Sequence, residues 1–545
     1  MAVADASLAP LPEAADVVVI GGGATGAGVA LDAAARGLSV VLLERADWAS
    51  GTSSQSSKLV HGGLRYLQQK ELALVRENLA ERQRLLDNAP HLVSLLPFLI
   101  PVFRRGGMAG AATDLAVTGG LATVLRLYDS SGGSRIGRSF EHLSAEELGG
   151  RLAGVTDRPT AGGFVYYDCQ ADDARLVLTL VRSAVAHGAA VANRTPVAGL
   201  SSRAGRVDGV VLADGRRVAA RCVVNAAGVW SGAFLAPAGA GEPSHHLTPA
   251  KGVHLSFPAR LLAVDDAVVL PVPADKRSLF IVPGTAIGCP SVTYVGTTDT
   301  PYDGPLDRPR CDAADAAYVL DALNHWRPPG AARLTAGDIS ATWAGLRPLL
   351  ADARSERTAD LSRRHAVATS VPGLVSVLGG KLTTYRAMAE DAVDAVCTVL
   401  GEPRPCPTAE LLLDGAAGHR GVAAELAPEL GEAVAHHLVS RHGTRAREVA
   451  DLVRSDPGLA RPLVEGLPAL QAEAVYAARS EMAHHLDDVL VRRTRSLLAD
   501  RDATEAAMVP TAALLATELG WDRARTASEI DALQAVIDDE RASLR

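Results

Sequence analysis

A chain of 545 residues is long enough for about three or four domain-sized units, and 48% hydrophobic with 21% charged residues is the composition of an ordinary globular protein. The net charge of −8 gives no general attraction to nucleic acid, so no nucleic-acid partner is expected. Six scattered cysteines (Cys169, Cys222, Cys289, Cys311, Cys397 and Cys406), without a CxxC pair or zinc spacing, argue against a disulfide scaffold or a metal site and fit buried thiols in a reducing compartment.

The first 15 residues carry acids and prolines but neither a basic nor an apolar signal region, which predicts a disordered leader. Asp16–Ile20 is a β-branched run with the composition of a buried parallel strand. It leads into Gly21-x-Gly23-x-x-Gly26, and the alanine-rich Thr25–Arg36 predicts a helix. A second apolar strand, Ser39–Leu43, ends on Glu44, 18 residues after Gly26. The three glycines suit a tight turn, backbone approach to a pyrophosphate and close helix–strand packing, and the acid suits a ribose hydroxyl. Gly21, Gly23, Ala24, Thr25, Gly26, Glu44 and Arg45 are therefore candidate dinucleotide contacts; the fingerprint alone leaves NAD and FAD open.

Arg45–Ser57 is a polar loop rich in serine, threonine and glycine. Lys58–Leu67 then brings His61, Gly63, Arg65 and Tyr66 together, poor core material. Glu71–Leu86 reads as a charged amphipathic helix with a solvated face and no chemistry. Phe98–Phe140 sets Arg104, Arg105, Arg126, Arg135 and Arg138 against Asp114 and Asp129, with the apolar Met108–Leu125 between. That pattern suits the interface of an anionic bilayer, or a helix packed on its own domain. No uncharged apolar run reaches the ~18 residues of a spanning helix.

Phe164–Leu180 predicts a strand, an acidic loop and a helix; Asp172 and Asp173 read better as helix-capping acids than as metal ligands. Cys222–Trp230 is a buried strand ending on small residues and Gly228, a place for close backbone approach to a bulky group. Pro249–Asp299 predicts an antiparallel sheet forming a second layer. Leu374–Arg386 is a strand, a glycine turn and a helix start, with Gly380, Lys381, Leu382 and Thr383 at the turn. Residues 401–407 form a proline-rich linker, and 408–545 are helical in pattern.

Taken together, IGGGATGAG, SSKLVHGGLRYL, DDARLV, KGVH, GTTDT, GLRPL and GGKLTTYR, in that order, resemble the FAD-dependent glycerol-3-phosphate dehydrogenases, respiratory flavoproteins. The likeness runs from Asp16 to about Val399 and weakly through the tail; Gly106–Leu125 departs from it in being rich in small residues. It implies an α/β fold with a Rossmann-like FAD-binding domain and an antiparallel-sheet substrate domain of D-amino-acid-oxidase type interleaved over 16–400, then an all-α domain. It also implies FAD as cofactor, glycerol 3-phosphate as substrate, a membrane quinone as acceptor, and a cytoplasmic, peripheral membrane location. Oligomeric state is not written in the motifs, a homodimer being one option.

Within that resemblance, Arg65 and Arg347 are the guanidinium groups for the phosphate, with Tyr66 adding a hydroxyl donor. His254 is the first choice for the base that takes the hydroxyl proton and His61 the second, histidine being the side chain that titrates near neutrality. Lys381 places a cation near the flavin, with Thr52, Gly380, Leu382 and Thr383 as cofactor contacts and Ser53, Ser57 and Lys58 along the pyrophosphate and the inner edge of the ring. Two other readings stand beside this one: an oxidase on the same scaffold, passing electrons from glycerophosphate or an amino acid to oxygen, and a non-catalytic dinucleotide-binding interaction protein.

Overall fold

The computed structural model describes residues 11–68, 70–235, 247–273, 275, 277–350 and 364–545. Residues 1–10 of the expected leader lie outside these, and the first strand begins at Ala14 rather than Asp16.

Val17–Ile20 and Val40–Leu43 are buried on both faces, as their unbroken apolar composition requires of parallel strands covered by helices. Among the described residues they belong to an eight-stranded sheet. Its parallel centre runs Leu374–Gly379, Arg217–Asn225, Ala14–Ile20, Val40–Leu43, Ala190–Ala192. The fingerprint helix, Ala24–Ala35, packs between helices Asp173–Ala186 and Tyr385–Leu400. Its small residues permit the close approach: a Cβ on Gly28 would come within 2.8 Å of the Tyr385 ring.

The second sheet has ten strands among the described residues and is antiparallel except for one pairing, Ala267–Pro271 with Ser94–Phe103. Leu247–Pro258 runs antiparallel to Ala341–Leu350, setting His254 opposite Trp343, Gly252 opposite Gly345 and Ala250 opposite Arg347. Alternate residues of a strand share a face, so this register brings the KGVH and GLRPL blocks together. The expected second layer is there, with the Trp343–Leu349 block as one of its strands.

Helix Leu72–Asn88 differs from its expectation as a solvated face. Leu74, Val75, Asn78, Leu79, Glu81, Arg82 and Leu85 are all buried along it. Its polar residues tolerate burial because each has a partner: Asn78 meets Lys381, Glu81 pairs with Arg386 and Arg82 with Asp168. Composition displayed the charges but not their partners, which lie about 85 to 305 residues away.

Helix Gly107–Ser130 lies mostly in the open, with Met108, Leu115 and Leu127 exposed. Among the described residues it is the one helix long and apolar enough to cross a membrane by length and composition, with a mean hydropathy of 1.3. It is not an uncharged run of that length, in keeping with the sequence. Asp114, which interrupts the apolar run in the sequence, is neutralised at 2.9 Å by Arg105.

The C-terminal helices have one core of their own and share another with Ile287, Cys289 and Val292 beside the second sheet, and they are keyed to the nucleotide-binding body through buried ion pairs. Asp47 accepts from Arg492 (2.6 Å) and Arg493 (2.7 Å). Arg495 bonds Asp172 (3.0 Å), Asp173 and the Ser54 carbonyl (3.1 Å). Asp172 also caps the helix after it, accepting from the N–H groups of Ala174 and Arg175, as its position in the sequence suggests.

Candidate active site

A cavity of about 1130 Å³ opens between the two sheets, above the ~300–1,000 Å³ usual for small-ligand pockets. At one end the fingerprint shapes the wall. Gly21 has φ +109° and donates its N–H to Leu43 O (2.8 Å); a Cβ there would come within 2.6 Å of the Ala226 carbonyl oxygen. A Cβ on Gly26 would land on the carbonyl oxygen of Gly21, so this third glycine supports helix–strand packing behind the wall and is not itself part of the lining. Gly23, Ala24 and Thr25 line the cavity at the start of the helix, where backbone N–H groups suit a pyrophosphate. Ser53 Oγ accepts from the Ala24 N–H (2.9 Å), and Thr52 donates to Leu346 O (2.6 Å), tying the loop to the second sheet.

Glu44 is buried in the wall. Its two carboxylate oxygens accept from Gly22 N–H (2.6 Å) and Ala46 N–H (2.8 Å), while burial pushes its pKa up. Each oxygen keeps a further acceptor site for a ribose hydroxyl. Arg45 lies 4.5 Å over the Trp230 ring and pairs with Asp307, and Gly228, at φ +57°, turns the chain beside them. Glycine cradle, buried acid and helix start fit a dinucleotide.

At the other end the lining becomes aromatic and cationic. His254 is buried, its ring stacked on Trp343 with centroids 4.9 Å apart, and its Nε2 lies 2.9 Å from Ser57 Oγ. Burial, with Lys58 and Arg347 nearby, holds its pKa well below 6.5, so the imidazole is neutral. Its Nδ1 is buried without a hydrogen-bond partner among the described residues. Arg347 crosses the Cα of Gly252; it pairs with Asp299 (3.1 Å) and donates to Thr297 Oγ1 (2.9 Å) and Thr298 O (3.2 Å), which fixes the guanidinium plane. Lys381 Nζ sits 4.4 Å from the centre of the Tyr66 ring. Arg65, on the short helix Leu64–Gln68, is exposed at the rim. His61 donates its N–H to Thr383 Oγ1 (3.2 Å), joining two blocks over 300 residues apart. Gly63, Gly380, Leu382 and Thr383 complete this wall, the last two in a short turn opening helix Tyr385–Leu400.

The structure thus brings the sequence-chosen residues to one cavity, apart from Gly26 and Lys58. Lys58 is a correction. It is fully buried behind the wall, where its ammonium group donates to the carbonyls of Ser54 and Ser56 (3.2 Å each) and approaches Asp173 (3.3 Å). The buried carboxylates draw it away from the cavity, and burial brings its pKa down to about 8. Sequence reasoning did not assign Asp299, Trp343, Arg277 or Asn78. The first two stand inside the GTTDT block and beside GLRPL, where the motif was the signal; Arg277, which donates to Asp299 O (3.1 Å), and Asn78 carry none.

Fold and site define a dinucleotide-dependent oxidoreductase with a charged pocket at one end of the groove. Comparison with known proteins narrows this. Residues 16–386 match the family model for FAD dependent oxidoreductases, and residues 406–526 match the C-terminal domain of alpha-glycerophosphate oxidase. Glycerol-3-phosphate dehydrogenase 2 of Mycobacterium tuberculosis is 39% identical over 95% of this chain and 86% of its own length. The aerobic glycerol-3-phosphate dehydrogenase of Bacillus subtilis is 36% identical over 89% of this chain and 88% of its own. The crystal structure of the glycerol-3-phosphate dehydrogenase from Bacillus halodurans complexed with FAD superposes with a TM-score of 0.76 at 30% identity, covering 98% of this chain and 95% of that one. The chain belongs to the FAD-dependent glycerol-3-phosphate dehydrogenase family, and its cofactor is FAD.

Proposed function

We propose that this protein oxidises the C2 hydroxyl of sn-glycerol 3-phosphate to give dihydroxyacetone phosphate and passes the electrons to a membrane quinone. FAD, when bound, supplies the hydride acceptor. The observation that carries this reading is the convergence of Arg65, Arg347, Lys381, His254 and His61 at the end of the cavity away from the fingerprint. The names of the relatives agree with it.

In this reading Arg65 at the rim and the immobilised Arg347 grip the phosphate dianion through charge-assisted hydrogen bonds, with the Tyr66 hydroxyl as a further donor. Neutral His254 takes the C2 hydroxyl proton, its ring held in place by Trp343 and Ser57. His61 is the alternative base. Lys381 supplies positive charge where negative charge builds up.

Helix Gly107–Ser130, with its exposed apolar residues beside Arg104, Arg105 and Arg126, supports peripheral attachment to the cytoplasmic face of the cell membrane. Phe103 before it pairs with Thr160 in the sheet, and Gly133 after it offers its carbonyl to Arg82 at 2.5 Å. With both ends tied to one body, the helix is suited to lie along a bilayer rather than pass through it. Of the oxidase alternatives, the one with glycerophosphate as donor keeps the same site and changes only the acceptor, and the description of the matched C-terminal domain agrees with it.

The deciding experiment is a visible spectrum of the purified protein before and after anaerobic glycerol 3-phosphate. Bleaching of the flavin band is expected; an unchanged band refutes the substrate. Quinone reduction against peroxide release then separates dehydrogenase from oxidase. A homodimer, the remaining partner in view, is tested by sedimentation.

A further inference from the structure

Helix Leu72–Asn88 turns three polar side chains inward over little more than one turn. Two of them, Glu81 and Arg82, are charged and make ion pairs with Arg386 and Asp168. The third, Asn78, is neutral and completely buried. Its Nδ2 donates to the Gly62 carbonyl (3.1 Å), and its Oδ1 accepts from Lys381 Nζ (3.3 Å).

We propose that Asn78 is the positioning residue for Lys381, aiming the ammonium group into the cavity without cancelling its charge. The inference rests on the reading of Lys381 as the cation of the active site. A carbonyl can only accept and an ammonium group can only donate, so one orientation of the Asn78 amide serves both neighbours. The reversed amide would set donor against donor and acceptor against acceptor.

Gly62, which fixes that orientation, is itself held. Its N–H is shared between Asp168 Oδ1 (3.0 Å) and the Tyr128 hydroxyl (3.1 Å), and Asp168 is in turn bound by Arg82 (2.5 Å) and Tyr128 (2.7 Å). A Cβ on Gly62 would strike both Leu79 and Tyr128, so its backbone sits in a close-fitting seat. The Asn78 oxygen is thereby fixed in space. Lysine has a flexible four-carbon stem and a compact charge, and needs such a guide more than a planar, bidentate arginine does. The Tyr66 ring lies 4.4 Å from the ammonium group, and Asn78 Oδ1 accepts a hydrogen bond from it.

The choice of amide over carboxylate follows from charge. Aspartate there would add a counter-charge beside Lys381, whereas an amide dipole orients the cation and adds none.

The test is a double-mutant cycle on the full-length, FAD-loaded protein, using Asn78→Ala, Lys381→Met and both together. Two quantities are read: the dissociation constant of sulfite, an anion that adds reversibly to oxidised flavin and bleaches it, and the rate of anaerobic flavin reduction by glycerol 3-phosphate. Lys381→Met is expected to weaken or slow both by on the order of 100-fold, the scale of losing a positioned electrostatic group. Asn78→Ala is expected to cost about 10-fold, as for a hydrogen bond to a charged group. If Asn78 acts through Lys381, the double variant matches Lys381→Met within about 2-fold. Losses that multiply, or an Asn78→Ala protein that binds sulfite normally while Lys381→Met does not, overturn the proposal and leave the Lys381 reading standing. Normal behaviour of Lys381→Met removes that reading and the proposal with it. If Asn78→Ala does not fold or hold FAD, the near-isosteric Asn78→Asp replaces it. A carboxylate beside Lys381 is expected to weaken sulfite binding; unchanged sulfite affinity overturns the assignment.

Discussion

The two ends of the cavity are built on different principles. At the nucleotide end the wall is largely backbone: Gly21, Gly23 and Ala24 form a seat defined by missing side chains, and Glu44, within 30 residues of the first strand, is a buried charge in it. At the catalytic end the wall is made of side chains, and each is held by others brought from far along the chain. Arg347 leans on Asp299 and Thr297, His254 on Trp343 and Ser57, Lys381 on Asn78. A binding surface made of backbone can be specified by a short motif. A surface made of oriented charges needs a scaffold drawn from the whole chain, because each buried charge needs a partner.

If this contrast is right, the largest single-site effect belongs to the glycines. Gly26→Val places its first side-chain carbon on the Gly21 carbonyl oxygen, and a colourless protein is expected on purification. Retained yellow colour would mean that the seat tolerates a shifted helix. Next comes the scaffold. Arg495→Leu leaves Asp172 and Asp173 without a major buried partner, and a loss of about 3–5 kcal/mol in urea unfolding is expected. A change under 1 kcal/mol, which is within surface-pair range, would separate the C-terminal helices from the integrity of the catalytic end.

Arg347→Ala sharpens the contrast from within the site. It is expected to keep its FAD and to raise KM for glycerol 3-phosphate by about 10- to 100-fold, the scale of charge-assisted hydrogen bonds; unchanged kinetics would remove it from the phosphate site. The pH profile is gentler. A base must be unprotonated, and burial beside two cations lowers the proton affinity of His254. Activity therefore holds as pH falls through 6.5 and declines only well below it. An acid limb of kcat/KM centred at or above 6.5 would remove His254 from that role. The smallest effect is expected at the outer surface. Raising salt releases the protein from anionic vesicles if Arg104, Arg105 and Arg126 make the contact, because exposed charges are screened; salt-insensitive binding points to another face.

What was legible in the sequence follows the same division. The strand–fingerprint–helix–strand unit declared itself because its periods and glycines are local, and the structure differs there by only a residue or two at element ends. His254 and Arg347 were reachable through the blocks around them, although nothing local says that Leu247–Pro258 and Ala341–Leu350 are neighbours; that is a matter of register across about 90 residues. Lys58 was misplaced because a lysine in a polar loop looks like a ligand for a phosphate. Its buried carboxylate, Asp173, lies 115 residues further on. Helix Leu72–Asn88 was misread for the same reason: a row of charges looks solvated until its partners arrive.

The central parallel sheet has a consequence for the birth of the protein. Strand Ala14–Ile20 and its neighbour Val40–Leu43 emerge from the ribosome among the first residues, yet the neighbour on the other side, Arg217–Asn225, comes some 200 residues later and Leu374–Gly379 another 150 beyond that. Arg495, which clamps the Ser54 loop, is translated later still. Non-local pairing of this kind assembles slowly. One edge of the earliest strand pair therefore waits for most of synthesis for its neighbour, and the groove, lined by segments from Ile20 to Ser543, is complete only when nearly the whole polypeptide has been made.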